Sequence, residues 1–258
     1  MQHEQLVQDL IAARDPRNPP ASLPGPLAPQ DLAAAYQVQD RVVAALGCQT
    51  KGYKVAATSR IAQEHLGIDG PFTGRLLAER IYPSPASLPA AEHRFFVVEP
   101  EYAFTLGADL PLRESAYGEA EVSAAIASLH PAFEIVSSAY DAAWREAGAA
   151  ALIADNAVHT AMVMGPATTD WRGLDFRRRK VRLDVDGALH SEGEGIRALG
   201  GPLETLLWLT QHLAGRGLGL QAGDVVTTGV VTDIAYLKAG QRAEADFGEL
   251  GSVSFQVT

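Results

Sequence analysis

The chain has a single cysteine, Cys48, among its 258 residues. One thiol excludes an intramolecular disulfide, as is typical of proteins from a reducing compartment. The N-terminus, Met1 to Gln5, lacks the basic and then apolar segments of a signal peptide. No apolar stretch approaches the roughly 20 residues that a membrane-spanning helix needs. We therefore expect a soluble, cytoplasmic protein without a membrane partner.

Positive charge is also scarce. The chain has 21 lysines and arginines against 31 aspartates and glutamates, a formal net charge of −10. Nucleic-acid binding needs a basic patch, so the balance argues against a nucleic-acid partner. The one dense basic run, Arg177 to Lys180, leads into the alternating stretch Val181 to Val185. That pattern is more typical of a strand with a solvated face than of an anion site.

Hydrophobic periodicity and glycine or proline breaks divide the chain into an N-terminal helical and proline-rich cap region, residues 1–50, and a main domain, residues 51–258. A proline-rich connector is expected over Asp15–Pro29. The pattern predicts helices over 4–13, Gln30–Leu46, Glu119–Leu129 and Pro202–Gly215, a short helix capped by Ser59 and ending near Gly67, and strands over Gly52–Ala57, Val181–Val185, Asp224–Thr228, Arg242–Asp246 and Ser252–Val257. Without a regular βαβ alternation, this order predicts an α+β fold on an antiparallel or mixed sheet.

Two glutamates, Glu99 and Glu101, lie in the apolar run Val97 to Phe104. Side chains at i and i+2 of a strand share a face, so both carboxylates would point into one space. Such a pair needs a compensating cation, and hard ions such as Mg²⁺ or Mn²⁺ prefer oxygen ligands. A half-buried strand with one polar face in water is the alternative. Glu134, flanked by apolar strand-forming residues, adds a third acid and favours the metal hypothesis.

Lys54 lies in the apolar strand from Gly52 to Ala57. Beside a metal it is a candidate proton carrier, whereas at a strand edge it would extend to solvent. Thr228 and Gly229 end a strand whose donors suit a ligand carboxylate. Asp155 follows an apolar run, where capping alone would explain it. The seven histidines show no paired metal spacing, so His130 and His159 are interpreted as structural or surface residues.

Seven segments in order resemble the 2-keto-4-pentenoate hydratase/4-oxalocrotonate decarboxylase family of the fumarylacetoacetate hydrolase superfamily. They cover about residues 28 to 258 and are Gly52-Tyr53-Lys54, Glu99-x-Glu101, Pro131-x-x-Glu134-Ile135-Val136, Ala154-Asp155-Asn156, Trp208-Leu209, Gly223-Asp224-Val225-Val226-x-Thr228-Gly229 and Ala245-Asp246-Phe247-Gly248-x-Leu250-Gly251.

The resemblance implies a mixed β-sandwich or roll core with peripheral helices, so that 51–258 would be the catalytic domain. It implies Mg²⁺ or Mn²⁺ on Glu99, Glu101 and Glu134, with Lys54 transferring protons. Substrates would be small 2-hydroxydienoates, tautomers of unsaturated 2-oxo acids formed during aromatic-ring degradation. We take Thr228, Ser59, Arg75 and Asp155 as candidate substrate contacts.

One position departs from the family pattern. Phe72, in Gly70-Pro71-Phe72-Thr73-Gly74, stands where family members carry an aspartate, so the standard substrate or reaction is in question. We expect a metal-dependent hydratase, with a decarboxylase as the alternative because Arg60 and Arg75 are candidate partners for a second substrate carboxylate. An acylpyruvate-type C–C hydrolase would need a His–Glu pair that the sequence does not reveal, and a non-catalytic partner subunit is the fourth alternative. We also expect a homo-oligomer, because a sheet-based core exposes edges.

Overall fold

The structure, a computed structural model, describes residues 3–25 and 31–258, which form two β-sheets and six α-helices. The α-helices are α1 Glu4–Ala13, α2 Leu32–Ala45, α3 Arg60–Leu66, α4 Glu119–Ala125, α5 Gly148–Ala154 and α6 Pro202–Gly215. The strands are β1 Thr50–Ala56, β2 Phe72–Leu77, β3 Ile81–Pro83, β4 Ala86–Leu88, β5 Phe96–Leu106, β6 Ile126–Val136, β7 His159–Met164, β8 Lys180–Val185, β9 Ala188–Glu194, β10 Val225–Val230, β11 Ala235–Leu237, β12 Arg242–Asp246 and β13 Ser252–Val257.

Most elements confirm the sequence prediction, and their local causes are visible. The Ser59 hydroxyl accepts a hydrogen bond from the amide of Ala62 at the start of α3, and Gly67, in a left-handed conformation, ends the helix. Asp31 caps α2 in the same way, through the amide of Ala34. Gln30, the predicted first residue of that helix, and residues 26–29 of the predicted connector lie outside the described residues.

The predicted helix Glu119–Leu129 is wrong beyond Ala125. From Ile126 the chain is a strand, β6, which pairs antiparallel with β5 along nearly its whole length. The alanines favour a helix locally, but burying the apolar residues after Ala125 in the sheet core stabilises the protein more than extending the helix would. Tertiary packing therefore overrides the local preference here.

The larger sheet carries the predicted acids. Its order is β2-β1-β10-β5-β6-β7-β3, with β11 pairing with β5, and it mixes parallel and antiparallel neighbours. The smaller sheet has the order β4-β13-β12-β8-β9. The two sheets pack through their apolar faces, for example where the rings of Phe133 and Phe255 meet edge to face at 5.3 Å. The expected α+β, mixed β-sandwich architecture with peripheral helices is confirmed.

The opposite face of the larger sheet is covered by helices. Apolar residues of α2 and α5 pack there with Phe72, Val97 and Val136. Helix α1 packs on α2 and on the segment around Tyr140. Among the described residues, no helix combines the length and the apolar character needed to cross a membrane.

Candidate metal centre and active site

Three carboxylates converge on the helix-covered face of the larger sheet. Glu99 and Glu101 lie two residues apart on β5, and Glu134 on β6 is the cross-strand partner of Glu99. Ligand oxygens of the three lie within 4.8 Å of one another. The i, i+2 spacing thus directs Glu99 and Glu101 to one face, and the register of β5 with β6 brings Glu134 to the same point.

Each of the two fully buried carboxylates uses one oxygen within the protein and leaves the other without a partner. The Gly229 amide donates to Oε2 of Glu101 at 2.8 Å, while Oε1 of Glu101 has no hydrogen bond. Lys54 and His159 both bind Oε1 of Glu134, while its Oε2 has none. Gly229 has to be glycine, because a Cβ there would collide with the Thr58 side chain. Buried polar atoms are rarely left unpaired, so the free oxygens indicate a missing ligand.

The protein alone does not balance the charge of this cluster. Burial raises the pKa of Glu99 to about 7. Repulsion from Glu134 is the second cause of this rise, and the charge of Lys54 opposes it. Burial also raises the pKa of Glu101, with Glu134 and Glu99 adding to the effect. The pKa of Glu134 is lowered although burial opposes this, because Lys54 and His159 stabilise its charged form. One lysine therefore cannot compensate three ionised carboxylates, which must take up protons or bind a cation, and a divalent ion supplies the positive charge that lets them stay ionised.

Lys54 is buried, with 2% of its surface exposed, and its Nζ lies 3.2 Å from Oε1 of Glu134. It therefore does not extend to solvent, and the strand-edge alternative is wrong. His159, predicted to be a structural or surface residue, is buried and not at the surface: its Nδ1 lies 2.9 Å from Glu134 Oε1. The His–Glu pair that the sequence did not reveal is therefore present. Burial lowers the pKa of His159 and favours a neutral ring.

A tight turn between α5 and β7 places His159. Asn156, Ala157 and Val158 all have positive φ, of 54°, 52° and 57°. Three successive non-glycine residues in this region are strained, the β-branched Val158 most of all. No spacing rule in the sequence signals such a turn, which is why His159 was missed.

Neighbouring segments hold the turn in place. The Asn156 amide group bonds both the N–H and the C=O of Arg75 in β2. Asp155 accepts hydrogen bonds from Ser138, the Ala139 amide and Arg14. Asp155 is thus a buried anchor of the turn and not a wall residue of the cavity beside the carboxylates.

That cavity has a volume of about 350 Å³ and opens beside the carboxylates. Lys54 and Glu99 lie at its polar end, and Ser59 is also part of its wall. The rest is mostly apolar and includes Leu66, Phe72, Val136, Leu152, Val158 and Ile234. Phe72, the departure from the family pattern, is therefore a cavity residue: it pairs across strands with Ala56, two residues from Lys54.

Two other predicted contacts lie away from the cavity. Arg75 pairs with Tyr53 and covers its ring at 4.1 Å, so its side chain is on the opposite face of the sheet from Lys54. The structure does not bring Arg75 into the site. The Thr228 hydroxyl donates to the backbone carbonyl of Tyr102 at 3.0 Å. Its neighbour Thr227, which pairs with Lys54, has a buried hydroxyl without a partner and shares the face of the acids.

The donor set fits a hard divalent cation. Three carboxylates in reach of one point, two of them with an unpartnered buried oxygen, offer the oxygen ligands that Mg²⁺ or Mn²⁺ takes. No thiol or free imidazole competes within this group.

The chain is similar to known proteins over its whole length. The family model "Fumarylacetoacetate (FAA) hydrolase C-terminal" matches residues 74–258. The 2-keto-4-pentenoate hydratase of Paraburkholderia xenovorans is 30% identical over 257 residues, which are 98% of this chain and 93% of that protein. A 4-oxalocrotonate decarboxylase of a Pseudomonas species is 28% identical over 214 residues, 82% of this chain and 80% of that one. The solved 4-oxalocrotonate decarboxylase of Pseudomonas putida G7, complexed with magnesium and adipate, superposes with a TM-score of 0.91 at 24% identity, covering 100% of this chain and 97% of that chain.

Proposed function

Because this chain belongs to the fumarylacetoacetate hydrolase family, we propose that it is a metal-dependent lyase that hydrates a 2-hydroxydienoic acid such as 2-hydroxypenta-2,4-dienoate. The observation that carries the proposal is the triad of Glu99, Glu101 and Glu134, two of them fully buried, beside Lys54 and a cavity. Full-length similarity to a 2-keto-4-pentenoate hydratase supports hydration as the reaction.

The three glutamates would hold Mg²⁺ or Mn²⁺. When bound, the ion supplies Lewis-acid stabilisation of the negative charge that develops on the substrate's 2-oxygen. Glu101 is fixed for this task by the Gly229 amide, and Glu134 by Lys54 and His159. These contacts leave one oxygen of each carboxylate free to act as a ligand.

Lys54 is the proton carrier of the proposed mechanism. Its Nζ lies at the junction between the acids and the cavity, where it can give a proton to the terminal carbon of the dienol and regain one from the substrate's 2-hydroxyl. Water then adds across the remaining double bond, its hydroxyl to carbon 4 and its proton to carbon 3. His159 orients Glu134 and does not activate water, because the ring is enclosed and lies outside the cavity wall.

The test is an ultraviolet assay with purified protein and Mg²⁺. We expect the dienol absorbance of 2-hydroxypenta-2,4-dienoate to disappear with formation of a hydrated product and without CO₂. Release of CO₂ from 2-oxohex-3-enedioate, with no turnover of the pentadienoate, would instead establish the decarboxylase, which the similarity to 4-oxalocrotonate decarboxylases keeps as the second candidate. Absence of both reactions with metal bound would overturn the proposal.

We also propose that the protein works in the cytoplasm, in the degradation of aromatic compounds, as a homo-oligomer. The hairpin strand β9 ends the smaller sheet, so its outer edge is available to another copy. Light scattering at micromolar concentration should give at least a dimer, and a monomer there would contradict this assembly.

A further inference from the structure

The wall of the cavity is mostly apolar away from the carboxylates. Lys54 and Glu99 are at one end, and the side chains of Leu66, Phe72, Val136, Leu152, Val158 and Ile234 surround the remaining space. Phe72 and Val158 both belong to this wall and are otherwise enclosed by protein, with 3% and 5% of their surface exposed. A ligand whose acid end lies at the carboxylates places its other end against these six residues.

A second substrate carboxylate would find no buried cation there besides Lys54. The other basic side chains of the wall are Arg145 and His65, and both are exposed. Arg145 lies over the Tyr236 ring at 4.9 Å and bonds the hydroxyl of the same residue, so it is engaged at the mouth. An unpaired carboxylate buried against the apolar wall would lose its hydration without compensation.

The cavity is also larger than a five-carbon acid requires. Its volume of about 350 Å³ corresponds to roughly a dozen water-sized groups at about 30 Å³ each. An acid such as 2-hydroxypenta-2,4-dienoate has only about eight non-hydrogen atoms, so room remains at the apolar end.

We propose that the substrate is a monocarboxylic 2-hydroxydienoate that carries an uncharged alkyl or aryl group at the carbon farthest from its acid end. This inference rests on the proposed function and specifies the substrate class. Phe72, Leu152 and Val158 are then residues that determine specificity for the far end of the substrate. Each substituent methylene buried there should raise kcat/KM about fourfold, the ratio that corresponds to about 0.8 kcal/mol.

The test compares three substrates: 2-hydroxypenta-2,4-dienoate, its analogue with a propyl group at the terminal carbon, and the dicarboxylate 2-oxohex-3-enedioate. We expect kcat/KM for the propyl analogue to exceed that for the parent at least tenfold, and that for the dicarboxylate to lie at least a hundredfold below the propyl analogue. Phe72→Asp should abolish the gain from the propyl group, whereas the matched control Phe72→Leu should keep it. Equal rates for parent and propyl analogue, or a dicarboxylate turned over as well as the propyl analogue, would overturn the inference.

A binding measurement separates this inference from the proposed function and from a misfolded variant. Calorimetry on the wild-type protein with Mg²⁺ should show tighter binding of 2-oxooctanoate than of 2-oxobutanoate, and weaker binding of 2-oxoadipate than of 2-oxooctanoate. If no dienoate is hydrated but this order holds, the proposed reaction fails and the apolar specificity stands. Equal or undetectable binding of the three acids would reject the apolar specificity even if hydration is observed.

Discussion

Lys54 and Glu101 face the same site but have different tasks in it. Lys54 contacts Glu134, one of the proposed metal ligands, and is not itself proposed as a ligand. We expect Lys54→Ala to lower turnover by roughly 10²–10⁴-fold, the usual contribution of a positioned acid or base. Metal affinity should stay nearly the same, because the loss of a nearby cation removes a repulsion while His159 still holds Glu134. Calorimetric Mn²⁺ titration and dienol consumption, measured on the same preparation, check both.

The matched variant is Glu101→Ala, which removes one of the proposed metal-ligand oxygens. Here metal affinity should fall and activity should fall with it, in part recoverable at high Mn²⁺. Wild-type turnover of Lys54→Ala at saturating metal would leave Lys54 a strand residue and refute the mechanism.

His159 holds Glu134 from the side away from the cavity. Removing such a support typically weakens metal affinity 10–100-fold. We expect His159→Leu to show this loss of affinity for Mn²⁺, measured by calorimetry, while His159→Asn, which keeps a hydrogen-bond donor, recovers part of it. Unchanged affinity in His159→Leu would show that Lys54 alone orients the carboxylate.

His93 gives a pH dependence that is independent of the metal. Burial, with the charge of Arg80, lowers the pKa of His93 from 6.5 to about 4. Between these values the unfolded chain binds more protons than the folded one, so this residue's contribution to stability is full above pH 6.5 and is lost as the pH falls toward 4. The loss is at most on the order of 3 kcal/mol.

His93→Phe removes this titration and keeps a ring beside Phe96, whose centroid lies 4.5 Å from that of His93. Urea unfolding at pH 7, 5.5 and 4.5 should show a shallower acid decline for the variant than for the wild type. Parallel declines would mean that His93 is charged in the folded protein.

At the scale of elements, the turn that follows α5 links the N-terminal helix to the site. Arg14, just after α1, donates to the backbone of Asp155 and His159 and to the Asp155 carboxylate. Arg14→Ala would leave a buried carboxylate with its charge partner removed, which typically costs about 3–5 kcal/mol. We expect such a loss in urea unfolding.

A double-mutant cycle identifies its origin. Because Asp155→Asn removes the charge that Arg14 compensates, the double variant should be destabilised by clearly less than the sum of the two single variants. Additive effects would show that the ion pair does not carry the coupling.

The sequence predicted those features of the site that depend on local periodicity. Glu99 and Glu101 share a face because of their i, i+2 spacing, and Ser59 caps α3. The chain reversal that pairs Glu134 with Glu99 is nonlocal, and the strained turn before His159 has no sequence signature. The prediction that Arg75 contacts the substrate is wrong for a related reason. Successive side chains of a strand point to opposite faces, and Gly74, not Arg75, pairs with Lys54.

The fold could be predicted in the same uneven way. Capped helices and the final hairpin β12–β13 follow from local signals, so their bounds were nearly right. The β5–β6 pairing joins residues far apart in sequence, such as Val97 and Val136, and these contacts make the end of the predicted alanine-rich helix a strand. Local propensity carries no information about such partners.

At the scale of the whole molecule, residues 1–50 pack closely on residues 51–258. The division into these two regions stays a proposal. The Gln39 side chain on α2 donates to the backbone carbonyls of Thr73 and Ile153 from a fully buried position. Val38 and Val42 share one apolar cluster with Ala151 and Tyr140. The first 50 residues therefore cover surface that the rest of the chain would otherwise expose.

We accordingly expect residues 51–258, expressed alone, not to unfold cooperatively. Ala35 and Tyr36 of α2 cover Phe72 and Val136, so the truncated chain would expose part of the core beside the metal site, and its carbonyls at Thr73 and Ile153 would lose their donor. Circular dichroism with urea, on the full chain and on residues 51–258, measures this directly. A full-length Gln39→Ala variant is the control: it should remain cooperative but lose about 1–3 kcal/mol for the two unpaired carbonyls. A truncated chain that unfolds cooperatively at the midpoint of the full-length protein would show instead that the N-terminal region is a dispensable cap.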